Sequence, residues 1–380
     1  MFSSKIPSQL IGSAVLKNGK NFLFPISSAA INRTQVATLK ATYGEKYPYA
    51  EPFPYKLKPY TTFHAYYDKA LKRFNENSKI IVVEGNIAVG KSNFAKRLAA
   101  GFDMEYFGPL SDRAVFTNND YKMDVRTLND MLPESAKFYD LADFYKDPHP
   151  EKGTVGKLLI NWYREKFFYY CEALKHLLNT GQGVVMATSV YSDAVYVNAL
   201  RSVGWCTPEF VKYYRTLMNQ SICELMKPHL TIYLDAPVDV IKERIQKRKI
   251  PSEVGARNLT EKYLKAIEDS YKNQFLPEFR YRLIIEELQW LKLEGEDKDD
   301  PRFEDWNRSD DDTLMEMRLF LENDIDKYHL FTMPQPWDCP EIMMKPDDQF
   351  VYDRLAEEHP VFKHRPGWSP ELGHSVLFKF

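Results

Sequence analysis

Short apolar runs alternate along the middle of the chain with longer segments whose apolar residues recur every three or four positions. "KIIVVEG" (79–85), "MEYF" (104–107), "GQGVVMA" (181–187) and "HLTIYLD" (229–235) read as strands without the polar alternation of a half-exposed sheet. Continuous apolar strands separated by helices predict a parallel sheet covered on both faces. Between the second and third runs, Leu159, Trp162, Tyr163, Phe167, Tyr170, Leu174, Leu177 and Leu178 form one helical stripe. That spacing predicts a helix packed into the core, with Gly181 just beyond it as the stop.

Upstream lies "YPYAEPFPYKLKPYTTFHAYY". Pro48, Pro52, Pro54 and Pro59 bias their neighbours away from helix, so an extended surface arm is expected, turning helical around Ala65–Phe74. Beyond Pro277 the strand–helix rhythm ends. "EGEDKDDPRFEDWNRSDDD" reads as a solvated, poorly ordered acidic connector. Leu314, Met317, Leu321, Ile325 and Tyr328 then mark one amphipathic helix. From "FTMPQPWDCPEI" to "HRPGWSPELGHSVLFKF" the chain is rich in proline and aromatics, an extended tail that must lie against something to be ordered.

Composition narrows the classes. With 380 residues the chain can bury a sizeable core, and a net charge of -2 gives no general pull toward nucleic acid or anionic lipid. Partners must be sought locally. Cys171, Cys206, Cys223 and Cys339 lie far apart, without metal-ligand spacing or a disulfide framework, as expected of thiols in a reducing compartment. No run approaches the roughly 20 apolar residues of a membrane span. The first 44 residues are rich in Ser, Lys and Arg, and no Asp or Glu precedes Glu45. That pattern predicts a mitochondrial presequence over 1–44 and excludes a secretory signal. An arm over 45–78, a main domain over 79–280 and a C-terminal extension over 281–380 follow.

The chemistry is concentrated after the first strand. Gly85-Asn86-Ile87-Ala88-Val89-Gly90-Lys91-Ser92 fits G-x-x-x-x-G-K-S/T, and it follows a strand and opens a helix whose Phe94 and Leu98 are spaced to pack inward. Gly85, Asn86, Ala88 and Gly90 would let backbone N–H groups wrap an anion, with Lys91 on the outer phosphates and Ser92 on magnesium. Arg244 and Arg248, on a basic helix after the fourth strand, are candidates for a phosphate clamp. Turnover would also need a carboxylate base near the C-terminal ends of the strands. There the sequence offers Thr188 and Ser189 after the third strand, Asp193 farther on, and Asp235 ending the fourth, which suits metal positioning or a turn equally.

"EGNIAVGKS", "TGQGVV…SVYSDAVY", "KPHLTIYLDAPVDVIKERIQKR" and "YLKAIEDSYKNQFLP" resemble the deoxynucleoside kinase family from Lys79 to about Glu278. "FYKDP" (144–148), the long extension and "KHRPGWSPELG" are similar to the nucleoside-kinase-like accessory subunits of mitochondrial complex I, NADH:ubiquinone oxidoreductase. The resemblance implies a three-layer P-loop fold on a parallel five-stranded sheet. It also implies complex I subunits as partners, and a peripheral place on the matrix side of the inner membrane. The phosphate-loop residues are kept, whereas the family's Glu-Arg-Ser falls on Ala187, Thr188 and Ser189, its base glutamate on Gly108, and a lid arginine on Ile250. Loss of a positioned base alone typically costs about 10²–10⁴ in rate. The expectation is therefore a non-catalytic subunit needed for assembly or stability, holding at most a purine nucleotide with Mg2+. The alternative is a mitochondrial deoxynucleoside kinase that moves the ATP γ-phosphate to a deoxynucleoside 5'-hydroxyl, with Asp193 and Asp235 as relocated carboxylates. FAD has been attributed to these subunits, but the loop is not a dinucleotide G-x-G-x-x-G.

Overall fold

The computed structural model describes residues 51–75, 77–118, 123–147, 155–278, 306, 310–334 and 338–359. The expected presequence, most of the acidic connector and the end of the tail lie outside them.

The four apolar runs form one parallel sheet: β1 (Ile80–Gly85), β2 (Glu105–Phe107), β3 (Val184–Met186) and β4 (Leu230–Leu234), in the order β2-β3-β1-β4. Ile80 pairs with Val184 and Gly85 with Leu234. Ile80, Ile81, Val82 and Val83 are all buried, so both faces of β1 are covered, as the unbroken apolar run requires. The resemblance implied five strands; among the described residues the chain beyond β4 contributes no fifth. A two-residue antiparallel pairing, Thr117–Asn118 with Met123–Asp124, stands apart from the sheet.

The longer helices among the described residues are α1 (Lys91–Phe102), α2 (Val155–Thr180), α3 (Asp193–Val203), α4 (Pro208–Ile222), α5 (Val238–Arg248), α6 (Glu261–Ser270), α7 (Asp311–Glu322) and α8 (Pro346–Glu358). On α2 the predicted stripe is largely core: Tyr163, Phe167, Tyr170, Leu174, Leu177 and Leu178 are fully buried. Leu159 and Trp162 are the exceptions and face a cleft. Gly181 ends the helix with φ +75°, and a Cβ there would lie 2.2 Å from the Arg73 carbonyl oxygen. Only glycine allows the arm so close. On α1, Ala95 and Ala99 are the buried residues, while Phe94 and Leu98 are partly buried against the core.

The arm departs from expectation. Helix is limited to Thr62–Ala65 and a 3₁₀ turn at Leu71–Arg73, and Phe53 and Tyr60 are buried. Packing overrides local propensity here, because the arm lies on α2 and α7. Arg318 of α7 clasps it: Nη1 donates to the Asp68 carbonyl at 2.9 Å, Nη2 to Asp68 Oδ2 at 2.6 Å, and Nε to Asn179 Oδ1 at 3.1 Å. Its guanidinium also lies 3.6 Å from the centroid of the Tyr60 ring. The single helix expected over 314–328 is two, α7 and Asp324–His329, because the Asn323 side chain accepts from the Ile325 N–H and starts a second helix.

The segment before α8 is anchored on α2. The Gly156 N–H donates to the Glu341 carbonyl, and Cys339 and Ile342 are buried. The four cysteines are free, and only Cys223 is exposed. No helix of the described residues is long and apolar enough to cross a membrane.

Candidate functional site

β1 ends in the phosphate loop. At Gly85, φ is +146°, and a Cβ would sit 2.5 Å from the Leu234 carbonyl oxygen, so the register with β4 demands glycine. Ala88 (φ +56°) and Gly90 (φ +106°) turn the backbone through left-handed conformations before α1 opens at Lys91. Successive turns of this kind gather N–H groups into an anion-binding concavity at a helix N-terminus.

Lys91 folds back over the loop. Its Nζ donates to the carbonyls of Gly85 at 2.8 Å and Asn86 at 2.9 Å. Burial pulls its ammonium down to about 8; Glu84 opposes this, while Lys166 and Arg248 reinforce it. The Asn86 side chain does not face the loop's mouth: Nδ2 donates to the Leu264 carbonyl of α6 at 2.8 Å and Oδ1 accepts from the Ile87 N–H. Of the two clamp candidates, Arg244 Nη1 donates to the Val89 carbonyl at 2.6 Å, bracing the loop from α5. Arg248 instead pairs with Glu253, its Nε donating to Oε2 at 3.1 Å.

These groups open onto a cleft of about 980 Å³, lined by Ala88, Gly90, Lys91, Ser92, Arg244 and Arg248 together with the aromatic rings of Tyr145, Trp162, Tyr169, Tyr196 and Tyr263. That volume lies at the upper end of small-molecule sites, room enough for a nucleotide. Trp162 Nε1 is buried with no acceptor among the described residues, a donor available to a ligand carbonyl or ring nitrogen. Gly108 and Thr188 also line the cleft. Thr188 holds φ +146°, a costly conformation for a β-branched residue, at the turn leaving β3.

Asp193 and Glu253 are the carboxylates among the described lining residues, and both are engaged. Asp193 opens α3, where it pairs with Lys166 and accepts from the Tyr214 hydroxyl. Asp235 does not line the cleft; it pairs with Lys272 at 2.8 Å. No group of three or more potential metal ligands of the His, Cys, Asp and Glu type occurs among the described residues.

Residues 81–321 match the family model described as deoxynucleoside kinase. The chain belongs to the deoxynucleoside kinase family. Within reach of that family it is 31% identical over 329 residues to NADH dehydrogenase (ubiquinone) 1 alpha subcomplex subunit 10, mitochondrial, of Bos taurus, covering 82% of this chain and 90% of that protein. A deoxyguanosine kinase of Dictyostelium discoideum is 29% identical over 208 residues, covering 55% of this chain and 62% of that protein. Among solved structures, deoxyadenosine kinase from M. mycoides with bound dATP superposes with a TM-score of 0.39 at 15% identity, covering 55% of this chain and 91% of that one.

One site residue escaped the sequence reading. Glu84, the last residue of β1 before Gly85, is fully buried behind the loop. Its Oε1 accepts from both the N–H and the Oγ of Ser189 at 2.8 Å, and Oε2 accepts from the Tyr271 hydroxyl at 3.2 Å. Tyr271 opens a π-helical turn, Tyr271–Phe275, directly after α6. Burial raises the Glu84 carboxyl pKa above its ordinary value, while the hydroxyls of Ser192 and Ser189 and the charge of Lys91 hold it back. A carboxylate directly before the loop's first glycine was the only signal in the sequence.

Proposed function

We propose that this chain is a non-catalytic accessory subunit of mitochondrial respiratory complex I, held on the matrix side of the inner membrane, in which a kinase cleft persists as scaffold. The observation that carries the reading is the extent of similarity to the bovine subunit: 90% of that protein is covered, against 62% of the deoxyguanosine kinase. Residues 1–44 would direct import, and the C-terminal extension would meet neighbouring subunits.

The cleft fits the same reading. Phosphoryl transfer needs a carboxylate free to take the acceptor's proton. Asp193 is spent on Lys166 and Tyr214, Glu253 on Arg248, and Asp235 lies elsewhere with Lys272. Gly85, Ala88, Gly90, Lys91 and Ser92 would still hold the phosphates of a purine nucleotide, with the backbone of Asn86, Arg244 and Arg248 in support and Ser92 on Mg2+. The left-handed turns at Ala88 and Gly90 and the position of Lys91 suit an anion. The loop is not the G-x-G-x-x-G of a dinucleotide site, so FAD is not part of this reading. A nucleotide at 100 times its dissociation constant would add about 2.7 kcal/mol to the fold without any turnover.

Depleting the chain from mitochondria tests the reading. The expected result is loss of NADH-driven ubiquinone reduction with deoxynucleoside phosphorylation unchanged; intact NADH oxidation would refute it. The second reading, an active deoxynucleoside kinase, draws on the family match and the preserved loop. Purified chain with labelled ATP, magnesium and deoxynucleosides decides it, since any acceptor-dependent labelled product favours the enzyme.

A further inference from the structure

The arm carries a surface that neither the cleft nor the fold uses. Leu57 is 88% exposed, Tyr66 87%, Phe63 71% and Tyr67 59%, whereas among the other described aromatics only Phe350 and Tyr328 are comparably exposed. The rings of Phe63 and Tyr67 lie 5.5 Å apart, His64 sits 5.9 Å from Tyr67 and 4.9 Å from Phe53, and Lys58 caps Phe53 at 5.0 Å. These contacts group Phe63, His64 and Tyr67 around Phe53, with Leu57 and Tyr66 next to them in sequence.

Several lysines stand beside this surface. Lys56, Lys58 and Lys72 point outward without a carboxylate partner among the described residues, whereas Lys69 pairs with Asp311. Asp68, the acid within the patch, is neutralised by Arg73 and Arg318. Lys56 and Lys58, next in sequence to Leu57, are thus exposed cations without a carboxylate partner among the described residues, while the exposed acids of the region are Glu51 and, at the start of α7 against Leu71, Asp310 and Asp312.

We propose that this arm docks on an anionic phospholipid surface. Tyrosine and lysine are the side chains that suit the headgroup region: the rings and aliphatic stems enter the apolar boundary while hydroxyl and ammonium remain in the polar layer. Leu57 and Tyr66 protrude almost fully exposed beside the paired rings of Phe63 and Tyr67. A protein partner would need a matching pocket for each, whereas a bilayer accepts an irregular set of tips. The Arg318 clasp fixes the arm on the body, so the patch is presented as a preformed surface.

Co-sedimentation of the full-length chain with vesicles tests this. Binding is expected to phosphatidylcholine vesicles containing phosphatidylglycerol and not to pure phosphatidylcholine. Each lysine near an anionic surface is worth about fivefold in partitioning, so Lys56→Gln with Lys58→Gln should weaken binding roughly thirtyfold. Tyr66→Ser, at a fully solvated position, should weaken it without lowering the melting temperature. No binding to the anionic vesicles, equal binding to both compositions, or binding indifferent to these variants overturns the proposal. The first of those outcomes would leave the patch to a protein or to the chain's own N-terminal residues.

Discussion

Glu84 and Ser189 lie 105 positions apart in the chain, yet one carboxylate oxygen accepts both the N–H and the hydroxyl of the serine at 2.8 Å. The bond ties the end of β1, from which the phosphate loop emerges, to the turn leaving β3. Tyr271 closes the same node from beyond α6. The loop is therefore held from behind by a buried polar cluster as well as by its own backbone.

Removing that node should cost more than reshaping it. Glu84→Ala leaves the Ser189 N–H and the Ser189 and Tyr271 hydroxyls buried without their acceptor, and unsatisfied groups cost about 1–3 kcal/mol each. Glu84→Gln keeps a carbonyl oxygen for Ser189 and offers Tyr271 an amide donor. Chemical denaturation should show Glu84→Ala destabilised by at least about 3 kcal/mol and Glu84→Gln close to the parent. Equal losses in both variants would show that charge, not acceptance, is what matters.

Lys91 gives the cleft a pH signature. Its pKa is about 8 in the fold against 10.5 for an ordinary lysine, so between those values the unfolded chain holds a proton that the folded chain has released. Stability contributed through this group thus rises with pH across that window. An anion in the loop favours the charged ammonium and reverses the shift. Calorimetry of nucleotide binding in buffers of different ionisation enthalpy should therefore show proton uptake above pH 8 and affinity falling as pH rises. Binding without proton exchange would place the phosphates away from Lys91.

Arg248 lines the cleft but is engaged there by Glu253. Glu253→Gln keeps the shape and removes the charge, leaving Arg248 available to a phosphate. Nucleotide affinity should increase several-fold, since a charge-assisted bond is worth about 1.5–3 kcal/mol before the cost of reorienting the side chain. Unchanged affinity in a titration would show that Arg248 does not reach the ligand.

Arg318 is the joint between arm and extension. Breaking a buried pair by removing one partner costs about 3–5 kcal/mol, although Asp68 retains Arg73 and lowers that figure here. Arg318→Met should lower the melting temperature and open the arm to limited proteolysis before the P-loop region is cut. Simultaneous digestion of both would mean that the arm is not separately hinged on this residue.

The legible parts of the molecule were those written in local pattern. The β-branched runs at 80–83 and 184–185 announced the sheet, and the loop's glycines announced their own backbone turns. The rest depends on what the chain brings together. Glu84 reads as the end of an apolar strand until parallel pairing places Ser189 beside it and a π-helical turn supplies Tyr271. Leu159 and Trp162 share the α2 stripe with core residues, and periodicity does not say whether the facing surface is protein or cleft. Glu253 lies in an unpatterned loop between α5 and α6, where nothing marks it as the partner of Arg248. The arm's Pro-rich run signalled the lack of helix before Thr61, but residues 55–58 close a hydrogen-bonded turn on the Pro54 carbonyl instead of running extended, and Phe53 and Tyr60 are buried under Arg318, which lies some 250 residues away.

The account rests most directly on where the chain resides, and native gel electrophoresis of mitochondrial membranes solubilised in mild detergent measures it. Probed with an antibody to this chain, the band should coincide with the large assembly that stains for NADH oxidation, and little should run free. A chain found only as a small soluble species, away from that assembly, would contradict the account.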